Sequence, residues 1–279
     1  MLRAAGFRVG TYTSPHLLRY NERVRIDMEE ASDAAICAGL AAVEQARGDI
    51  SLTYFEFGTL AAVACFMQAE VDVMVLEVGL GGRLDAVNVF DADCAIISSI
   101  DLDHQDWLGD TRELIGREKA GVFRQAKPVV CADPEPPQSL LDRATEIGAN
   151  LRRINLDFAV RSSPTNWALS LPDLTLENLP LPALCGEYQL RNAAAVLVAV
   201  RELADRLPVS ADAIRLGVRQ ARLHGRFEIA SERPRVILDV AHNPQAMAGL
   251  ARNLEAMPCA GKTLAVVGML ADKDIAGAL

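Results

Sequence analysis

The sequence predicts an α/β fold: a parallel sheet covered by helices, followed by the opening of a second α/β unit. Two observations carry this expectation. Apolar runs of strand length alternate with longer stretches of helical periodicity, the order that joins parallel strands through crossover helices. The segment His224-Gly225-Arg226 then interrupts that alternation, and its glycine suits a hinge before a fresh strand and helix pattern.

Taken in order, strands are expected near 8–14, 71–78, 94–100, 127–132 and 150–154, with helices near 30–47, 54–69, 111–122 and 137–147. The helix near 111–122 carries a start signal, Asp110 followed three residues later by Glu113, which can satisfy free amides of its first turn. The stretch 155–185 changes character. Its prolines and the short alternating run Trp167-Ala-Leu-Ser-Leu171 suggest a small antiparallel excursion. A long helix near 187–206 and a second near 210–221 lead to the glycine. Beyond it, RVILDVAHNP and TLAVVGML read as two parallel strands around a helix at 243–256. The domains expected are thus residues 1–226 and 227–279.

Composition narrows the function classes. With 51% hydrophobic residues in 279, the chain has material for a large core, and no apolar run reaches membrane-spanning length. The opening MLRAAGFRVG lacks the apolar centre of a signal peptide, so a cytoplasmic location is expected. A formal net charge of −9 opposes nucleic acid or an anionic membrane as partner, because both need a basic face. The six cysteines, Cys37, Cys65, Cys94, Cys131, Cys185 and Cys259, form no CxxC pair and read as reduced, buried small hydrophobes.

In parallel sheets ligands gather at the carboxyl ends of strands, and here those ends are polar. Ser14 closes the first strand, Glu77 the second, Asp101, Asp103 and His104 follow the third, and Asp239 and His242 end the strand after the glycine. Glu77 runs into Gly79-Leu-Gly81-Gly82-Arg83, which serves either close approach of a ligand to the backbone or a tight turn. It is no dinucleotide fingerprint, since Leu84 stands where the third glycine belongs. His104 among carboxylates suits a divalent ion or a charged surface. Lys119 reads as a solvated lysine, or as one held neutral by burial that can take up carbon dioxide as a carbamate. Gly261-Lys262-Thr263 imitates the tail of a phosphate loop, but Ala256 replaces the required glycine and the segment precedes a strand rather than following one.

Seven segments stand together in one order: TYTSPHLLRYNERVRI, TYFEFGTLAA, LEVGLGGRLDAVN, DLDHQDWLGDTRELIGREKAGVFR, GEYQLRNAAA, HGRFE and LDVAHNPQA. In this the chain resembles the folylpolyglutamate and dihydrofolate synthases over nearly its whole length. LGGRLDAVN and DHQDWLG…REKAG are long and specific, GR and HNP occur also in peptidoglycan Mur ligases, and SPHLLRYNER favours the folate branch.

The resemblance implies a Mur-ligase-like parallel-sheet ATP-binding domain followed by a Rossmann-like α/β domain. Its reaction is an ATP-dependent ligation in which a carboxylate attacks the γ-phosphate of ATP and glutamate captures the acyl phosphate. Mg2+ is the implied cofactor and ATP the co-substrate. By motif position Ser14, Glu77 and His104 bind the metal, and Lys119 is the carbamylated lysine supporting it. Glu77, His104 and Lys119 form the catalytic set, with tips expected within about 8 Å around one ion. Thr53, Tyr54, Phe55 and Glu56, with Leu84, Asp85 and Ala86, line the pterin pocket. Asn192 contacts the adenine, Arg226 the phosphates and Asp239 the nucleotide, the last two facing the cleft between the domains. The implied partners are small molecules, dihydropteroate or folate with L-glutamate and ATP, handled by a monomer without nucleic acid or membrane. In the family a strand and a GTNGKGS-type loop precede GFRVGTYTSPHL, and the second domain runs on past the position of Leu279. The resemblance therefore implies a fragment lacking its first strand and phosphate loop, impaired in catalysis. The rivals are a Mur-type ligase of a peptidoglycan precursor and a noncatalytic pterin-binding remnant.

Overall fold

The computed structural model describes residues 1–271 and 273–279. The chain begins with β1 (Val9–Tyr12), β2 (Val24–Ile26), β3 (Glu29–Glu30), α1 (Asp33–Arg47), α2 (Tyr54–Gln68) and β4 (Val73–Leu76). β1 and β4 pair in parallel, with Val9 opposite Val73 and Tyr12 opposite Leu76. On its other edge β1 takes β2 antiparallel, and β2 takes β3. This hairpin escaped the sequence reading. Its turn residues, Asp27 and Met28, have φ of 53° and 74°, the left-handed geometry of a tight hairpin, yet neither is the glycine or asparagine that would advertise it.

α2 is apolar on every side because it is buried on most of them. Ala61, Ala62, Cys65 and Phe66 are enclosed, and Cys65 and Phe66 share a core cluster with Tyr12, Val24 and Ile36. Its start is held reciprocally, the Thr53 hydroxyl accepting from the Glu56 amide and the Glu56 carboxylate from the Thr53 amide.

A second sheet follows, made of β5 (Ala95–Ile97), β6 (Pro128–Cys131) and β7 (Asn150–Arg153), all parallel. Helices α3 (Gln105–Leu108), α4 (Arg112–Lys119) and α5 (Gln138–Ile147) connect them. The central β6 is solvent-free at Val129, Val130 and Cys131, as a strand covered on both faces should be. The expected cap of α4 is corrected. Thr111, not Asp110, accepts from the Leu114 amide, and Glu113 is drawn away to cap α5 through the amides of Gln138 and Ser139 at 3.0 and 2.7 Å.

The antiparallel excursion is present as β8 (Ala159–Ser162), β9 (Asn166–Ser170) and β10 (Thr175–Pro180). Trp167 is buried in it, and its indole N–H donates to the Pro180 carbonyl at 2.8 Å. α6 (Glu187–Glu202) packs Leu197 and Val198 onto Trp167, Leu169 and Val130, joining this sheet to the parallel one. α6 ends at Glu202, short of the expected 206, and α7 (Ala211–Gln220) leads to Gly225.

After the glycine come β11 (Glu228–Glu232), β12 (Arg235–Leu238), α8 (Pro244–Glu255) and α9 (Ile275–Ala278). The expectation of two parallel strands here is corrected: β12 pairs antiparallel with β11, and 263–270 carries no strand. A β-branched apolar run becomes a strand only where a neighbour offers a ladder and a packed face. Leu264 is 86% exposed and Val266 fully so, hence neither is offered. All six cysteines are free, but Cys37 and Cys259 are exposed, the first on an outer face of α1 and the second in an irregular segment. Among the described residues no helix is long and apolar enough to cross a membrane.

Candidate functional site

The pairing of β1 with β4 decides where the site begins. The ladder continues one step beyond β4, the Glu77 amide donating to the Tyr12 carbonyl at 2.9 Å. The two strand ends therefore open side by side, and the Ser14 amide donates to Glu77 Oε2 at 2.8 Å. Protein packed around the Glu77 carboxyl pushes its pKa up, against the lowering pull of the Ser14 amide and the Arg226 guanidinium. Water still reaches Glu77 from the open side and screens these effects. Arg226, one residue after Gly225, is near enough for its charge to act on Glu77.

The glycine-rich loop after Glu77 is anchored at both ends. At its start, Asp85 Oδ2 accepts from the amides of Gly79 and Leu80 at 3.0 and 2.9 Å. A Cβ on Gly79 would lie 2.6 Å from Phe55 Cζ, so the glycine lets the ring lie against the backbone. The segments Thr53-Tyr54-Phe55-Glu56 and Leu84-Asp85-Ala86 thus meet at this loop, with Tyr54 66% and Leu84 79% exposed beside it. At its far end, a Cβ on Gly82 would meet the carbonyl oxygens of Glu118 and Lys119 at 2.9 and 3.1 Å. The Arg83 amide donates to the Glu118 carbonyl at 2.9 Å, and its guanidinium pairs with the Glu118 carboxylate.

This docking sets the loop against the end of α4, where Lys119 lies half-buried. Burial lowers the Lys119 pKa, and the nearby Asp103 carboxylate opposes the shift. His104 follows Asp103 in the left-handed conformation, φ 51°, and begins α3 with its side chain 44% exposed. Asn192 donates to Gln189 Oε1 at 3.3 Å on α6. Asp239 accepts from the amides of Phe227 and Ala241 at 2.7 and 2.8 Å, which fixes the turn that carries Arg226.

The expected residues thus fall into linked groups: Ser14, Glu77 and Arg226; Phe55 and Asp85 about Gly79; Lys119 with Asp103. Among the described residues no three His, Cys, Asp or Glu side chains gather as a ready-made metal cage. Magnesium does not demand one, since it takes one or two protein oxygens, keeps waters and binds substrate phosphate. The Glu77 carboxylate beside Ser14 fits that requirement.

One cluster was missed by the sequence reading. The Arg23 guanidinium lies 5.7 and 5.8 Å from the ring centres of Tyr20 and Tyr54, and its Nε donates to His16 Nδ1 at 2.9 Å. The interleaving of aromatic and basic residues in SPHLLRYNER is the signal that would have found it.

Residues 225–278 match the family described as "Mur ligase, glutamate ligase domain". The chain is 54% identical over 279 residues to the dihydrofolate synthase/folylpolyglutamate synthase of Escherichia coli (strain K12), covering 100% of itself and 65% of that protein. It superposes on E. coli FolC in complex with DHPP and ADP with a TM-score of 0.94 at 54% identity, over 99% of this chain and 66% of that one. A bifunctional folylpolyglutamate synthase/dihydrofolate synthase crystallised with Mn, AMPPNP and L-glutamate gives 0.92 at 53% identity, over 99% and 66%. The chain belongs to the folylpolyglutamate synthase/dihydrofolate synthase family, and it spans about two thirds of the length of these relatives.

Proposed function

We propose that this chain forms part of an ATP-dependent acid–amino-acid ligase that joins L-glutamate to dihydropteroate, folate or both through an acyl phosphate, in the cytoplasm and as a monomer. Its domains are residues 1–226 and 227–279. Ser14, Glu77 and His104 hold Mg2+, Lys119 supports the site as its carbamate, and Thr53–Glu56 with Leu84–Ala86 receive the pterin. Asn192 meets the adenine, Arg226 the phosphates and Asp239 the nucleotide.

The observation that carries this reading is the double anchoring of the Gly79–Arg83 loop. One end touches Phe55 and Asp85, the other Glu118 and Lys119, so an aromatic pocket wall and a half-buried amine share one rigid connector. Bound magnesium would supply positive charge to offset that of the transferring phosphoryl group. The chain's own residues orient the rest. Arg226 adds a cation whose charge reaches Glu77, the Tyr54 and Phe55 rings offer flat apolar faces, and the second domain excludes water when it closes.

The test is a chimera in which this chain replaces the matching segment of the E. coli relative. ATP-dependent incorporation of labelled glutamate into dihydropteroate or folate is expected, and it should disappear in the Glu77→Ala and His104→Ala chimeras. A folded chimera that binds a pteroate analogue without transferring glutamate would overturn the ligase reading.

A further inference from the structure

Asp103 stands one residue before His104 and reaches the second unit at two points. Its Oδ1 accepts from Lys273 Nζ at 2.9 Å, and its Oδ2 from Asn243 Nδ2 at 3.1 Å. These partners are 170 and 140 residues away in the chain. They belong to separate segments, the turn before α9 and the residue that caps α8. His242 Nε2 adds a third approach at 3.8 Å.

This is not an ordinary surface pair. The Lys273 side chain is only 9% exposed and that of Asp103 27%, so parting them would strand a desolvated ammonium. The Asn243 amide is held in one orientation, because its Oδ1 accepts from the Ala246 amide at 2.9 Å as the cap of α8, which leaves Nδ2 to face Asp103. Asp103 Oδ1 also accepts from the His104 amide at 2.8 Å, so the carboxylate that grips the second unit also fixes the left-handed backbone of His104.

We propose that Asp103 is a positioning residue, a latch whose grip on Lys273 and Asn243 holds the second unit in register with His104. The latch itself follows from these contacts; what it serves, closure over the metal and nucleotide, rests on the function proposed above.

The experiment uses the 279-residue chain with spin labels at the exposed Cys37 and Cys259, one in each unit, the other cysteines being changed to alanine. The starting protein should give one narrow distance distribution. Lys273→Gln and Asp103→Asn should add a longer-distance population and speed tryptic cleavage at the exposed Arg222 before the hinge by roughly tenfold. Lys273→Arg, which keeps both the charge and the donors while Asp103 stays the acceptor, should keep the narrow distribution. Retention of a cooperative far-UV transition in each variant separates release of the latch from loss of fold. An unchanged distribution in folded Lys273→Gln overturns the proposal, as does a folded Lys273→Arg whose distribution broadens as much as that of Lys273→Gln. Neither readout needs ATP or a pteroate, so failure of glutamate transfer in the chimera bears on the ligase reading alone.

Discussion

Arg83 and Glu118 are joined twice: the Arg83 amide donates to the Glu118 carbonyl at 2.9 Å, and the Arg83 Nε to the Glu118 carboxylate at 3.0 Å. The side-chain half of this contact is partly exposed and contributes little on its own. The backbone half depends on Gly82, whose missing Cβ leaves room for two carbonyl oxygens at the end of α4. Gly82→Ala should push the loop off that helix and destabilise the chain by about 1–3 kcal/mol, the usual cost of overpacking a close contact. Arg83→Gln should cost under about 1 kcal/mol. Urea titrations of both variants check the order, and equal losses would show that the side-chain pair, not the backbone seat, holds the loop.

Glu77 should weaken the chain it serves. Its carboxyl has a higher pKa in the folded state than in the unfolded one, because burial outweighs the Ser14 amide and Arg226. The folded state therefore holds the proton more tightly. That contribution is fully present below the ordinary glutamate value of 4.5 and is lost as pH rises through the raised folded value. Glu77→Gln should melt higher than the parent at pH 7, with the gap closing toward pH 4. Thermal melts across that range decide it, and a gap that widens on acidification would mean that the attraction of the Arg226 charge and the Ser14 amide outweighs burial.

Much of this arrangement was legible in the sequence because it rests on short-range pattern. Strand-length apolar runs located β1, β4, β5, β6 and β7, and the polar residues closing the first two lie side by side because their strands are parallel neighbours. What was lost depends on distance or on competing partners. Glu113 has the local spacing of a cap for its own helix, but the amides of α5, 25 and 26 residues on, claim it. The run at 263–270 has strand composition without a strand to pair with. Asp103 looks like one more acid in DLDHQD, and nothing within ten residues announces Lys273 or Asn243.

Asp133 supports the site from beneath. Its side chain is 5% exposed and accepts from the Ile100 amide at 2.7 Å, the Glu135 amide at 2.9 Å and Arg112 Nη2 at 3.1 Å. Ile100 is where the chain leaves the β5 region for Asp101 to His104, so this carboxylate sets the height of that segment. Asp133→Ala would leave two amides without their acceptor and the Arg112 charge without its carboxylate, holding only the Ile100 and Glu135 carbonyls, and should cost about 3 kcal/mol. Asp133→Asn keeps one carbonyl acceptor and should cost less. Chemical denaturation gives both values, and near-neutral results would show that water replaces the carboxylate.

Lys119 carries the prediction that most directly tests the chemistry. Burial lowers its pKa, so at mildly alkaline pH more of it is neutral than of an ordinary lysine. Only the neutral amine adds to carbon dioxide: the N–C bond forms, one proton is released and the product is an anionic carbamate. Asp103 opposes this by favouring the ammonium. In linkage terms the lowered folded pKa means that the folded state binds fewer protons than the unfolded one between that value and the ordinary 10.5, so stability rises with pH across that window. Lys119→Met should flatten this rise and melt higher than the parent at pH 7. With 13C-labelled bicarbonate at pH 8, the parent should show a carbamate resonance that Lys119→Arg abolishes, since a guanidinium cannot form it. Lys127→Arg should leave the resonance intact, because that lysine is 45% exposed and paired with Asp93 at 2.8 Å. A carbamate spectrum that Lys119→Arg leaves unchanged, with only the Met1 α-amine resonance in both proteins, would remove Lys119 from the proposed metal site.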